Sequence, residues 1–377
     1  MRGESVPVTT QTHSSLPIAL DTLIARAVER AGGWIGFDRF MALALYAPGL
    51  GYYANSLAKF GQMPESGSDF VTAPELTPLF GRALAAQLAE ALEKTGTATV
   101  WEFGAGSGAL AAQLLDALDA LGRSDVNYRI VDLSGTLRAR QQQALARFGD
   151  RVEWRLELPA AMQGVVVGNE VLDAMPVQLL ARHGGRWFER GVVRNAAGDG
   201  WAWADRETDL RPPVEVPGEH DYLTEIHPQA KAFVATLADR LERGAAFLID
   251  YGFPESEYYH PQRHMGTVMC HRAHRADGDP LSDVGLKDIT AHVDFTGVAL
   301  AGQEAGLAVL GYASQARFLL NCGLVSLMET ASVGERAMGA RLVHEHEMGE
   351  LFKVVGFAVG EGWEALGFVE GDRSHTL

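Results

Sequence analysis

Between residues 17 and 30 the apolar side chains Ile18, Leu20, Leu23, Ile24, Ala27 and Val28 recur at helical spacing, and Gly32-Gly33 ends the run. Residues 37–46 repeat the pattern, so two helices are predicted before the chain turns irregular and rich in Gly and Pro over 47–73. A third helix is expected from about Pro74 to beyond Leu92. From Thr97 the rhythm changes to strand, turn, helix, repeated, which marks a parallel sheet with crossover helices. Strands are expected at 99–103, 128–132, 152–155, 165–168 and 245–250, with helices at 108–121 and 136–148. Residues 177–203 break that rhythm with two or three short strands joined at Gly184-Gly185 and 195–200, an inserted hairpin or meander between the fourth and fifth parallel strands. A second irregular stretch, 252–288, is long enough to suggest a functional loop. A helix at 295–306, a strand at 308–311, helices over 314–346 and an antiparallel strand at 352–359 close the chain.

Composition narrows what such a fold does. The chain has 377 residues, 47% of them hydrophobic, enough for one large α/β domain or two smaller units. Lys and Arg number 32 against 48 Asp and Glu, and a net charge of -16 disfavours a nucleic-acid partner. Cys270 and Cys322 are too few for a disulfide framework, so a reducing, cytoplasmic setting is expected. No apolar run reaches the roughly 20 residues of a membrane span, and residues 1–15 lack the apolar core of a signal peptide and read as a flexible tail.

The chemistry concentrates where strands end. The strand at 99–103 opens into Gly104-Ala105-Gly106-Ser107-Gly108 and then a helix, whose free N–H groups face a ligand above the sheet. Glycines suit a turn that needs positive φ and close backbone approach. Gly104, Gly106 and Ala109 also satisfy the dinucleotide fingerprint, and Asp132 at the end of the next strand suits a ribose in either NAD or S-adenosylmethionine. Glu102 tips the balance, because a carboxylate there repels a pyrophosphate but suits the ammonium of a methionine moiety. Asn169 and Glu170, just after the fourth strand, lie at the sheet edge where ligands bind; the plainer reading makes Glu170 a first-turn acid of a following helix. Cys270, His271 and His274, or His344 and His346, lack the count and spacing of a metal site, so no metal is expected. His292 is either a general base or a structural pin for the long loop, with the second reading favoured.

Longer blocks go further. Residues 40–48 (FMALALYAP) with Gly51-Tyr52-Tyr53, 69–75 (DFVTAPE), the glycine turn, 130–134 (IVDLS), 169–177 (NEVLDAMPV), 279–281 with 288–295 (DITAHVDF), and 349–355 follow in order. In these the chain resembles the MidA family, methyltransferases related to a mitochondrial assembly factor for respiratory complex I. Ala105 stands where that family usually has Pro, and Asp132 where it has Glu. The resemblance implies a Rossmann-like class I methyltransferase sheet, mostly parallel with the last strand antiparallel. Around it the chain divides into a helical cap and lid loop over 16–95 and a core over 96–377, with insertions at about 177–225 and 252–295. It further implies S-adenosylmethionine held by Thr72, Pro74, Glu102, Gly104, Ala105, Gly106, Ser107, Gly108, Asp132, Leu133, Ser134 and Asn169. Methyl transfer to an arginine of a protein, such as a complex I subunit, then draws its carboxylates from Glu170, Asp173, Asp69 and Glu75. An NAD(P)-dependent oxidoreductase and an assembly chaperone that holds the cofactor without turnover are the alternatives. The oligomeric state is left open.

Overall fold

The computed structural model describes residues 15–55, 71–132 and 135–377. Asp69, Leu133, Ser134 and residues 1–14 of the expected tail lie outside the described residues, while Ser15 opens the first helix. In chain order the first elements are α1 (Ser15–Arg30), β1 (Ile35–Gly36), α2 (Phe37–Tyr46), α3 (Ala73–Leu76) and α4 (Leu79–Thr95). β2 (Thr99–Phe103), α5 (Ala109–Ala120), β3 (Asn127–Val131), α6 (Gly135–Leu145), β4 (Val152–Arg155) and β5 (Met162–Asn169) follow. Then come β6 (Gln178–His183), β7 (Arg186–Arg194), β8 (Trp201–Glu207), β9 (Tyr222–Ile226), α7 (Pro228–Arg240), β10 (Leu241–Phe253) and α8 (Glu255–Tyr258). The last third holds β11 (Met269–Arg272), β12 (Arg275–Asp277), β13 (Asp288–Thr290), β14 (Val293–Asp294), α9 (Phe295–Glu304), β15 (Leu307–Ser314), α10 (Gln315–Asn321), α11 (Leu324–Thr330), α12 (Val333–Val343) and β16 (Phe352–Val359).

The central sheet has the order β15-β16-β10-β5-β2-β3-β4, with β14 beside β10. β10, β5, β2, β3 and β4 run parallel, while β16 is antiparallel to both β10 and β15. Its central strands are apolar on both faces: Val165, Val166 and Val167 are all fully buried because helices cover the sheet on either side. Leu84 and Leu88 of α4 and Leu114 of α5 pack on one face, and Val234 of α7 and Val298 of α9 on the other. The parallel connections place the C-terminal ends of β2, β3, β5 and β10 along one edge.

Three differences from the sequence reading have physical causes. The third helix is broken into α3 and α4 because Thr77 is extended (φ -160°, ψ 143°) before Pro78, whose ring disfavours the helical region for its predecessor. The expected hairpin is part of a five-stranded sheet that recruits β9 and, from the cap, β1, whose Ile35 pairs with Val192. The stretch after β10 holds a three-stranded sheet, β12-β11-β13. No described helix is long and apolar enough to cross a membrane.

Candidate active site

The glycine turn joins β2 to α5, and Gly104, Gly106 and Gly108 take φ of +64°, +52° and +86°. A side chain at Gly104 would also press Val171, whose Cγ2 lies 3.1 Å from the position of its Cβ. Gly108 is not at the ligand surface: it sits under the turn as the left-handed N-cap of α5, while Gly104, Ala105, Gly106 and Ser107 line a cleft of about 1170 Å³. One side chain braces the turn, since Gln141 Nε2 donates to Gly106 O at 3.0 Å and to Asp132 Oδ2 at 2.8 Å. Trp154 Nε1 fixes the other end of that amide by donating to Gln141 Oε1 at 3.0 Å.

Glu102 is buried beneath the turn and accepts a 2.8 Å bond from the Tyr128 hydroxyl. Burial pushes its carboxyl up to about 8 in spite of that bond, so a cation arriving in the cleft would favour the ionised form. From the cap, Glu75 accepts a hydrogen bond from Ser107 Oγ, and Gln113 Nε2 holds Pro74 O at 2.7 Å, which brings Thr72, Pro74 and Glu75 to the cleft.

After β5 the chain does not enter a helix, which removes the first-turn reading of Glu170. Glu170 instead takes φ +54°, an uncommon conformation for a residue with a side chain, and donates its N–H to Ile249 O at 2.9 Å. The next three N–H groups, of Val171, Leu172 and Asp173, converge on Asp250 Oδ2 at 3.1, 2.9 and 3.2 Å. Asp250 is fully buried on β10 and thus shapes the turn that presents Glu170 and Asp173. Burial, reinforced by Asp173, pushes Glu170 up to about 8. Asp173 is pushed by burial to about 6.

Both added segments reach the same cleft. Tyr46 donates to Ala174 O at 2.7 Å, and Tyr53 donates to Asp288 at 2.8 and 2.9 Å. His292 is half-buried against Tyr251, and desolvation lowers its imidazole to about 4, so it is neutral at physiological pH. Sequence reasoning placed Glu102, Asp132, Asn169, Glu170 and Asp173, and all five line the cleft. It missed Tyr46, Tyr53, Tyr251 and Asp288 as cleft residues, although Tyr46, Tyr53 and Asp288 stood inside the quoted family blocks. Among the described residues no group of three His, Cys, Asp or Glu side chains is arranged to hold a metal ion.

The lining includes six carboxylates (Glu75, Glu102, Asp132, Glu170, Asp173 and Asp288) and, among the described residues, no Lys or Arg. Asn169 Oδ1 and Asp173 Oδ1 are buried acceptors with no hydrogen-bond partner. A positive-φ glycine turn, a carboxylate at the end of each of the first two strands and unused acceptors beyond them fit S-adenosylmethionine, with its sulfonium, ammonium and ribose. They do not fit a pyrophosphate, whose charge no Lys or Arg of the described lining would offset. Sheet order and cleft together define an α/β methyltransferase.

The chain belongs to the family of S-adenosyl-L-methionine-dependent methyltransferases, whose model matches residues 83–313. It is similar to a COG1565 superfamily member from Burkholderia thailandensis crystallised with S-adenosyl-homocysteine, at 48% identity and a TM-score of 0.93 over 99% of this chain and 100% of that one. A native crystal structure of a COG1565 superfamily protein from the same organism matches at 47% identity and a TM-score of 0.88, over 99% and 100% of the two chains. The mitochondrial "Protein arginine methyltransferase NDUFAF7 homolog" of Caenorhabditis elegans is 27% identical over 78% of this chain and 74% of its own length. The protein is an S-adenosylmethionine-dependent methyltransferase, and the dinucleotide alternative is left without support.

Proposed function

We propose that the methyl acceptor is the guanidinium of an arginine side chain in a protein. The observation that carries this reading is the cleft lining, six carboxylates without a Lys or Arg among the described residues. A cationic acceptor beside a cationic cofactor is repelled unless fixed negative charge offsets both. Support also comes from relatives named protein arginine methyltransferases at 26 to 27% identity.

S-adenosylmethionine, when bound, supplies an electrophilic methyl group. The backbone of Gly104 to Ser107 with Glu102 would hold its amino-acid end, and Asp132, fixed by Gln141, its sugar. Asn169 and Glu170 then orient the acceptor nitrogen. That nitrogen gains the methyl and must release a proton, which Glu170 receives: its raised proton affinity brings it near neutrality, where a general base works best. Asp173 offsets the remaining positive charge, and Pro74 and Glu75 cover the glycine turn and exclude water.

The client we propose is a respiratory complex I subunit, by the family resemblance. A cytoplasmic setting belongs to the same proposal, supported by Cys270 and Cys322 being buried free thiols whose proton affinity burial raises. Mass spectrometry of candidate clients incubated with the protein and isotopically labelled cofactor tests the reading. Label on arginine is the expected result; label on lysine alone or on a carboxylate would overturn it, and bound cofactor without any label would favour the chaperone alternative.

A further inference from the structure

The cleft is lined by residues of different origin. The glycine turn, Glu102 and Asp132 come from the sheet, whereas Tyr46 and Tyr53 come from the cap and Asp288 from the segment after β10. A cleft of about 1170 Å³ exceeds the roughly 300 to 1,000 Å³ typical of a site for one small molecule, so it has room for cofactor and acceptor together. The rings of Tyr46 and Tyr53 stack at 5.6 Å with planes 19° apart. Tyr251, packed edge-on against His292 and Phe352, adds a third tyrosine to the lining. Asp173 Oδ1 is buried without a hydrogen-bond partner, and Asp288, 3% exposed, receives the Tyr53 hydroxyl.

Aromatic faces and carboxylates together favour a cation, and a planar, delocalised, weakly hydrated one more than a compact ammonium. We propose that Tyr46, Tyr53, Tyr251, Asp173 and Asp288 form the socket for the acceptor's guanidinium, with Asp288 as its specificity-determining carboxylate. This assignment rests on the arginine reading above and deepens it: Tyr46, Tyr53 and Asp288 from the additions join Asp173 and Tyr251 of the core around the acceptor, while the glycine turn, Glu102 and Asp132 hold the cofactor. The two sets of residues are then separable by mutation.

The experiment titrates ethylguanidinium, and separately ethylammonium, into the full-length protein saturated with S-adenosylhomocysteine, with ligand-observed NMR as the readout. Ethylguanidinium is expected to bind the more tightly of the two. Asp288→Asn, which keeps the size of the side chain, should weaken that binding by about tenfold or more while S-adenosylhomocysteine affinity stays within about twofold. Tyr53→Leu serves as the second variant should Asp288→Asn lose its fold, with the same expected result. Unchanged ethylguanidinium binding in both variants would overturn the socket and leave arginine methylation standing if labelled methylarginine is found. Tighter binding of ethylammonium would overturn the guanidinium selectivity of the socket. A guanidinium-selective, Asp288-dependent site in a protein that labels no arginine would support the socket and sink the acceptor reading alone.

Discussion

Glu170 holds a left-handed backbone that costs free energy, and the turn around it persists because Asp250 satisfies three consecutive N–H groups at once. Two outcomes follow at this scale. Glu170→Gln keeps the shape of the side chain but removes the proton acceptor, so turnover should fall by about 10² to 10⁴ while S-adenosylhomocysteine affinity in calorimetry is retained; full activity would strike Glu170 from the mechanism. Asp250→Ala would bury the three N–H groups unpaired, a loss of about 3 kcal/mol or more in denaturant unfolding. The sequence made Glu102, Asp132 and Glu170 legible because each stands in fixed registry with a strand end. Asp250 was hidden, since nothing near it in the chain announces that its partners lie at 171–173. Asp288 was hidden as a cleft residue for the same reason, its hydroxyl donor being Tyr53.

Among the elements, strands buried on both faces were the easiest to read: residues 99–103 and 352–359 are strands with those bounds, as is the edge strand 152–155, where Glu153 and Arg155 are exposed. Helix α7 escaped because its buried stripe, Ala230, Val234 and Leu237, is thin and opens with the small side chain of an alanine. Strands β11 to β13 are three or four residues each and polar, too short to show an alternation. The glycine turn offers the cleanest element-scale test. Gly104→Ala forces a Cβ onto φ +64° and against Val171, so it should cost about 1 to 2 kcal/mol of stability and weaken cofactor binding, as measured by unfolding and calorimetry. Wild-type affinity in that variant would show that the turn tolerates a side chain.

The molecule as a whole is acidic, and two carboxyl groups that burial raises, Glu102 and Glu170, share one cleft. Glu102 and Glu170 rise from an ordinary value of 4.5 to about 8, so between those limits the folded protein holds more protons than the unfolded chain and stability falls as pH rises. Below pH 6.5 the lowered His227 and His292 act in the opposite direction, because the unfolded chain then binds the extra protons. The decline in the ligand-free protein should therefore be clearest from about pH 6.5 to 8, as a falling thermal midpoint, and should flatten in Glu102→Gln. A cationic ligand draws the same carboxylates into their ionised form. Binding of S-adenosylmethionine near pH 7 should release protons, seen as a calorimetric enthalpy that varies with the buffer; an enthalpy independent of buffer would contradict the placement of its cationic end beside Glu102.

The pairing of Ile35 with Val192 bears on how the chain is made. On a ribosome, the helices at the amino end emerge well before the strand that completes their sheet. Their apolar sides stay partly exposed until Val192, and then Ile289 and Ala291, have been synthesised, an interval in which the nascent protein offers a chaperone apolar surface.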